Sequence, residues 1–236
     1  MTKKRRKKIR MSQIKKNLKK LREKIFKDTA NDEVKIVAVT KTRSINEIKE
    51  AISCGVTSVG ENKVQEAEKK FQQLGVSVEK RFIGRLQSNK IKKATALFDT
   101  IDSVHSYRLA EKISKHCKTT QKKQRILIQV NTGKEESKNG FLKNEKKEIL
   151  KCFSLQGLIV EGLMTVGPNT QDKQKIKDAF KDLRVLFLEI NKELSSKQQM
   201  TELSMGMSDD LLIAIQEGAT AVRVGTAIFG KRKEHA

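Results

Sequence analysis

Several residue types are scarce in this chain. Tryptophan is absent, and tyrosine and proline occur once each among the 236 residues. Proteins that bind single-stranded nucleic acid stack the bases on aromatic side chains, so this scarcity argues against that class. The apolar runs, such as IVAV and ILIQV, are far shorter than the roughly 20 residues that a membrane helix needs. We therefore expect no membrane-spanning segment.

Cysteine is also scarce. The spacing of Cys54, Cys117 and Cys152 fits neither a zinc site nor a disulfide framework. The N-terminus lacks the apolar core and the small-residue cleavage site of a secretory signal. We therefore predict reduced structural thiols, no metal site and a cytoplasmic location.

Positive charge is abundant, with a formal net charge of +23. A basic surface is typical of nucleic-acid-binding proteins, so that function is one hypothesis. Outside the first ten residues, MTKKRRKKIR, the lysines are spread over every amphipathic segment. This favours solvated helix faces and at most non-specific binding of nucleic acid. We interpret residues 1–10 as a disordered basic arm and residues 11–236 as one folded domain.

Short apolar strands alternate with longer amphipathic helices along the rest of the chain. SQIKKNLKKLREKIF has apolar residues at spacings of three and four, which predicts an additional N-terminal helix. KIVAVT predicts a strand, and a capping box of Ser44 and Glu47 begins the next helix, which Gly55 closes. About eight such units follow one another without a domain-breaking linker. The pattern favours an α/β fold with a single (β/α)8 TIM-type barrel.

In such a barrel, functional residues lie at the C-terminal ends of the strands. Lys41 directly follows VAVT, where neighbouring strands would partly desolvate its side chain. Desolvation lowers the pKa of an amine, and an uncharged amine can attack a carbonyl group to form a Schiff base. The alternative is a lysine that merely ends a strand. The residues at the predicted strand ends are Lys41, Asn62, Arg85, Asn131, Met164, Ser204 and Arg223.

The segment AVRVGTAIFG predicts an anion site at the start of the last helix. Gly225 would let a ligand approach the backbone, and the Thr226 hydroxyl and free N–H groups would bind a phosphate. Ser204 can add a hydroxyl from the end of strand seven. A phosphate bound there, opposite Lys41, would lie within the span of one small molecule. The alternative is an ordinary strand-to-helix turn.

Arg223 lies two residues before Gly225 and points to the same face of its strand. Its permanent positive charge would keep a neighbouring pyridine nitrogen unprotonated, which suits weak carbanion chemistry or simple carriage of a cofactor. The alternative is an ion pair of Arg223 with Glu161 or another carboxylate.

Seven stretches of the chain resemble, in the same order, motifs of the pyridoxal phosphate homeostasis proteins, which are relatives of the barrel domain of alanine racemase. The resemblance covers roughly residues 11–232. The stretches are VAVTKT, GENKVQEA, FIGRLQSNK, QVNTGKEESKNGF, EGLMTVGP, LSMGMSDDLLIAIQEG and AVRVGTAIFG.

The resemblance implies a barrel like the N-terminal domain of alanine racemase, with pyridoxal 5′-phosphate (PLP) held on Lys41 as an internal aldimine. It also implies that Ser204, Gly225 and Thr226 hold the phosphate and that Arg223 faces the ring nitrogen. Further residues would line the pocket. The complete set of implied cofactor-binding residues is Lys41, Asn62, Met164, Ser204, Met205, Arg223, Gly225 and Thr226.

The function that this resemblance implies is PLP homeostasis: a carrier or buffer of the cofactor that affects amino- and keto-acid balance, without catalytic turnover. The chain ends after the last barrel helix, so we expect no second domain that could supply the opposing acid/base of a racemase. A weak PLP-dependent racemase or a related enzyme is the alternative. The expected partners are PLP and PLP-dependent apo-enzymes, and the expected state is a monomer, because no coiled-coil heptad or long apolar surface is apparent.

Five residues depart from the family pattern. Lys63 replaces an aromatic residue, and Arg81 and Arg85 replace histidines. Where the family has a histidine followed by an aspartate, this chain has Asp102 followed by His105, so the two residue types are exchanged. We expect the first three changes to make the pocket rim more basic, and all five to affect partner contacts or substrate access.

Overall fold

The computed structural model describes residues 12–29, 33–133, 135 and 138–231. The predicted N-terminal helix is present as α1 (Gln13–Thr29). Asn17 Nδ2 donates a hydrogen bond to Ile228 O (2.9 Å), which ties α1 to the last helix of the barrel. The predicted basic arm, residues 1–10, lies outside the described residues. The buried side chains of α1 are those of the predicted apolar stripe: Ile14, Leu18, Leu21 and Ile25.

Within the described residues, eight parallel strands form a closed barrel. Each strand pairs with the next one in the chain, and β8 closes the barrel by pairing with β1. This confirms the predicted (β/α)8 fold. The strands are β1 (Lys35–Val39), β2 (Ser58–Glu61), β3 (Glu79–Phe82), β4 (Thr100–Val104), β5 (Gln124–Gln129), β6 (Leu158–Met164), β7 (Glu202–Ser204) and β8 (Ala221–Val224).

Helices surround the barrel and alternate with its strands. Short 3-10 turns at Ser88–Lys90, Lys143–Glu145 and Cys152–Ser154 adjoin α4 and α6. The α-helices after α1 are α2 (Ile45–Ser53), α3 (Val64–Leu74), α4 (Ile91–Leu97), α5 (Tyr107–Thr119), α6 (Lys146–Lys151), α7 (Lys173–Glu193), α8 (Leu211–Gln216) and α9 (Thr226–Phe229).

The first strand–helix unit shows how local sequence sets these boundaries. The capping box that begins α2 is present as predicted: the Glu47 backbone N–H donates to Ser44 Oγ, and Glu47 Oε2 accepts from Ser44 N (2.8 Å). The helix ends at Ser53, and Gly55 follows with a φ of +86°, a conformation that glycine adopts without steric cost. The loop that carries Lys41 is thereby confined between the end of β1 and a fixed helix start.

The core lies between the barrel strands and the surrounding helices. All residues of β2, β4 and β8 are buried, including the charged residues Glu61, Asp102 and Arg223. Because all strands are parallel, their C-terminal ends and the loops that follow them meet at one end of the barrel, which we call the barrel mouth. Among the helices in the described part of the chain, none is long and apolar enough to cross a membrane.

Candidate functional site

Lys41 lies at the barrel mouth, in the turn that directly follows β1, and it is half-buried. The next residue, Thr42, has a φ of +63°, which is uncommon for a residue other than glycine. Its backbone N–H donates to Glu66 Oε1 on α3 (2.6 Å). The turn that presents Lys41 is therefore held in an unusual conformation by a neighbouring helix.

A buried polar network supports this turn from below. Lys70 Nζ donates to Thr40 O, Glu61 Oε1 and Glu66 Oε1, each at 2.7 Å. Burial raises the pKa of the Glu61 carboxyl, although hydrogen bonds from Lys70 and Thr40 oppose that shift. Sequence reasoning missed this network. Only the i,i+4 spacing of Glu66 and Lys70 signals any part of it.

Arg43 connects the turn that carries Lys41 to the opposite end of the sequence. Its guanidinium donates to Phe229 O (3.3 Å) and Gly230 O at the end of α9, and it lies 5.4 Å from the centre of the Phe229 ring. Glu47 Oε1 lies 3.5 Å from Arg43 Nη1. The residue is 9% exposed. Arg43 therefore fixes the position of the Lys41 turn relative to α9.

The predicted anion site, which we call the seat at Gly225, lies at the start of α9. Thr226 is the exposed first residue of this helix, and Gly225 precedes it. The backbone N–H of Ala227 points to Ser208 Oγ (3.4 Å), in the loop after β7. Ser208 was missed, although a serine in LSMGMSDD after a barrel strand is a signal for this kind of site. The Ser208 hydroxyl and the first amides of α9 therefore lie together at the start of this helix.

Lys41 and this seat are neighbours, not opposite each other as predicted from the sequence. Strand β8 pairs with β1, with Val37 beside Arg223 and Ala38 beside Val224. The atoms nearest to a Cβ built on Gly225 belong to Val39, at 3.5 Å. Barrel closure, which pairs the first strand with the last, brings the two groups together. The turn that carries Lys41 therefore follows the strand that adjoins Gly225.

Arg223 is buried, at 5% exposed, and its guanidinium binds uncharged oxygens. Nη1 donates to Ser204 O and Ser204 Oγ (both 2.8 Å), and Nη2 donates to Thr165 O (2.7 Å). Burial lowers the pKa of Arg223, while Asp102 and Asp210 oppose this at longer range. Within the described ranges, Arg223 forms no ion pair.

The alternative of an Arg223–Glu161 ion pair is therefore wrong, since Glu161 lies beside Arg125 instead (3.6 Å). Ser204 is fully buried. Its hydroxyl accepts from Arg223, so its proton and one lone pair are left for a ligand.

The other predicted pocket residues also lie at strand ends. Met164 ends β6 and Met205 follows β7, and both are buried. Asn62 follows β2, and its Oδ1 is buried without a hydrogen-bond partner in the described structure. The loop after β3 packs closely against the backbone of Asn62, since a Cβ atom at Gly84 would lie only 2.2 Å from Asn62 O. Asn131, by contrast, holds its own loop through Nδ2, which donates to Glu135 O and Lys138 O (2.8 and 3.1 Å).

Comparisons with known proteins agree with this geometry. The model of the family "Alanine racemase, N-terminal domain" matches residues 9–233. The pyridoxal phosphate homeostasis protein of Pasteurella multocida is 39% identical over 203 residues, which cover 84% of this chain and 87% of that protein. The chain belongs to this family of pyridoxal phosphate homeostasis proteins, within the alanine racemase N-terminal domain family.

Solved structures place the homeostasis family in the same fold. PipY of Synechococcus elongatus, solved with PLP bound, has a TM-score of 0.83 at 32% identity, covering 92% of this chain and all of that one. Alanine racemase of Clostridium difficile has a TM-score of 0.77 at 15% identity, covering 94% of this chain and 57% of the racemase. The second likeness concerns the fold alone.

Two of the departures from the homeostasis family lie inside the barrel, so the expectation of a more basic rim is wrong for Arg81. Arg81 and Asp102 are fully buried. Arg81 Nε donates to both oxygens of Asp102 (3.1 and 2.9 Å), and its Nη atoms donate to Glu202. The alternation of β3 and β4 turns these side chains inward, where their charges compensate each other. Arg85 and Lys63 are exposed at the mouth and His105 is half-buried there.

The residues at the mouth fit a phosphate-bearing aldehyde such as PLP. Gly225 has a φ of −114°, which any residue adopts, and a Cβ there would make ordinary contacts with Val39. Neither the backbone conformation nor the packing of the chain itself requires glycine at this position. The unpartnered Asn62 Oδ1 supplies a buried acceptor. Among the described residues, no cluster of side chains could hold a metal ion.

Proposed function

We propose that this chain binds PLP through Lys41 and serves as a carrier or buffer of the cofactor. The observation that carries the proposal is that β8 pairs with β1 and Gly225 lies against Val39, two residues before Lys41. Family membership supports it, because relatives are named pyridoxal phosphate homeostasis proteins and PipY was solved with PLP bound.

Each residue has a proposed role. The Lys41 amine condenses with the aldehyde of PLP, which releases water and leaves an imine. Thr226, Ser208 and the amides beside Gly225 bind the phosphate, and Ser204 adds its hydroxyl proton. The rest of the pocket is lined by Asn62, Met164 and Met205.

Arg223 favours carriage over catalysis. It is buried, and its hydrogen bonds go to uncharged oxygens, so no carboxylate is bonded to it directly. A cation beside the pyridine nitrogen keeps that nitrogen unprotonated and weakens the ring as an electron sink. A weak racemase has no specific support in the site. We further propose cytoplasmic location, a monomeric state and delivery of PLP to apo-enzymes.

The binding proposal is tested by absorption spectroscopy of the purified chain after addition of PLP. We expect the long-wavelength band of a lysine-bound pyridoxal, its loss on borohydride reduction, and its absence in Lys41→Ala. Lys49→Ala, which removes an exposed lysine on α2, is the matched control and should keep the band. A band of full intensity in Lys41→Ala would refute the assignment.

The carrier role is tested separately. The loaded protein is incubated with L-alanine, and D-alanine is measured over time. A carrier forms no more product than one equivalent per protein, whereas continued linear accumulation would show a racemase.

A further inference from the structure

A second concave site lies at the barrel mouth, between the loops that follow β3 and β4 and the start of α5. Its cavity of about 580 Å³ falls within the range of about 300–1,000 Å³ that is typical of small-molecule sites. The buried side chains of Leu86 and Leu109 lie at its base. We call this cavity the β3–β4 groove, and its polar lining consists of Arg85, Gln87, Ser88, His105, Ser106, Arg108 and Lys112.

The groove concentrates uncompensated positive charge. None of the residues that line it is acidic. Among the residues that the structure describes, Arg85, Arg108 and Lys112 form no ion pair, although the neighbouring Lys115 on the same helix pairs with Glu111. Lys112 Nζ instead donates to Ser88 Oγ (2.9 Å), which holds the ammonium at the edge of the groove.

The pKa of His105 is affected by this charge. Burial lowers the pKa of its imidazole, and the positive charge of Arg85 lowers it further. The imidazole is half-buried between the two loops. The field inside the groove is therefore positive at a side chain that can itself bind an anion.

We propose that the β3–β4 groove is a second anion-binding site, which takes the phosphate group of a small molecule. Two guanidinium groups can each bind a phosphate through paired N–H donors, and the ammonium adds a third cation. A single carboxylate would leave most of this charge unmatched, whereas a phosphate ester carries two negative charges. In the closed barrel, two strands on either side, β1 and β2 or β5 and β6, separate β3 and β4 from β7 and β8, so this groove and the seat at Gly225 are separate sites.

The test uses inorganic pyrophosphate as the probe and the full-length chain at constant ionic strength. The ring signals of His105 are followed by nuclear magnetic resonance, and His116, which lies on α5 outside the groove, is the internal reference. We expect a saturable shift of the His105 signals and little change at His116. Because the seat at Gly225 also attracts phosphate, the local signal of His105 distinguishes the two sites.

Two variants with equal change of charge decide whether binding is specific. Arg108→Gln removes an exposed arginine of the groove, and Arg184→Gln removes an exposed arginine of α7. Losing one charged hydrogen-bond donor should weaken pyrophosphate binding at His105 by at least about tenfold in Arg108→Gln. Arg184→Gln should bind as the unchanged chain does.

Three results would overturn the proposal. The first is a shift of His105 that does not saturate, or that His116 follows equally. The second is an equal loss of affinity in Arg184→Gln, which would indicate general electrostatic attraction. The third is binding of a short oligonucleotide in the groove without binding of pyrophosphate, which would indicate a nucleic-acid surface. Circular dichroism of both variants confirms that the fold is kept.

Discussion

Two buried arginines inside the barrel differ in what surrounds their charge. Arg81, on β3, donates to Asp102 and Glu202, so two carboxylates serve one guanidinium. Arg223, on β8, donates only to Ser204 and Thr165, whose oxygens are uncharged. The difference shows that the same residue type serves two purposes here. The charge of Arg81 is compensated by carboxylates that it contacts directly, whereas Arg223 contacts only neutral oxygens and interacts with Asp102 and Asp210 without a direct bond.

The position of each arginine along the barrel agrees with this distinction. Arg81 belongs to an ion-pair network near the strand starts, where Lys35 also contacts Glu202 (3.1 Å) and Glu79 (3.5 Å). The bonds of Arg223 go to the last residue of β7 and to Thr165, which directly follows β6. In barrels of this class the strand starts contribute stability and the strand ends contribute function.

The largest expected effect is the loss of stability in Arg81→Met. This change leaves Asp102 and Glu202 buried without their shared cation, which should cost about 3–5 kcal/mol in the free energy of unfolding. Denaturant unfolding measures it. The double variant Arg81→Met/Asp102→Leu should recover part of the loss, because it removes one of the stranded carboxylates. A cost below about 1 kcal/mol for Arg81→Met would contradict the account of a coupled buried network.

A smaller loss of stability is expected for Arg223→Met. It removes charged donors from neutral oxygens and strands no carboxylate, so the expected cost is about 1–3 kcal/mol. If the proposed site is right, this variant also changes the absorption spectrum of bound PLP, whereas a destabilised but folded Arg81 variant does not. An unchanged spectrum in Arg223→Met would show that the residue does not face the ring.

Arg43 is a third buried arginine. It binds backbone carbonyls at the mouth and is not expected to touch a ligand, so it differs from both Arg81 and Arg223. We expect Arg43→Met to weaken PLP binding by about tenfold, since the Lys41 turn loses its link to α9. Arg43→Lys keeps the charge and should restore part of the affinity. Equal PLP affinity in the original chain and in Arg43→Met, measured by fluorescence titration, would refute this positioning role.

The smallest expected effect is a dependence of stability on pH. Burial raises the pKa of Asp102 from 3.8 to about 6, against the attraction of Arg81. The folded chain therefore binds this proton more tightly than the unfolded chain. The resulting stabilisation is complete below 3.8 and is lost as the pH rises through about 6. Between pH 5 and pH 6 the loss should be about 1 kcal/mol.

Unfolding of Asp102→Asn in the same pH range isolates this contribution. The comparison concerns the slope of stability against pH, not the absolute stability. An identical slope in the variant would show that Asp102 is ionised throughout the range.

Hydrophobic periodicity was sufficient to predict the barrel, the N-terminal helix and the strand-end position of Lys41, because these follow from local alternation. It could not predict the Arg81 network, since Arg81 and Glu202 are 121 residues apart in the chain. In a strand, a charged residue that points into the barrel follows the same alternation as one that points to solvent. The contact of Ser208 with the start of α9 likewise depends on the relative position of two loops, which no local pattern encodes.

The most direct test of the central claim locates the covalent bond itself. The chain is incubated with PLP, reduced with borohydride, digested and analysed by peptide mass spectrometry. The account predicts one pyridoxyl group per chain, on the peptide that contains Lys41. A modification found mainly on another lysine, or spread over many of them, would contradict it.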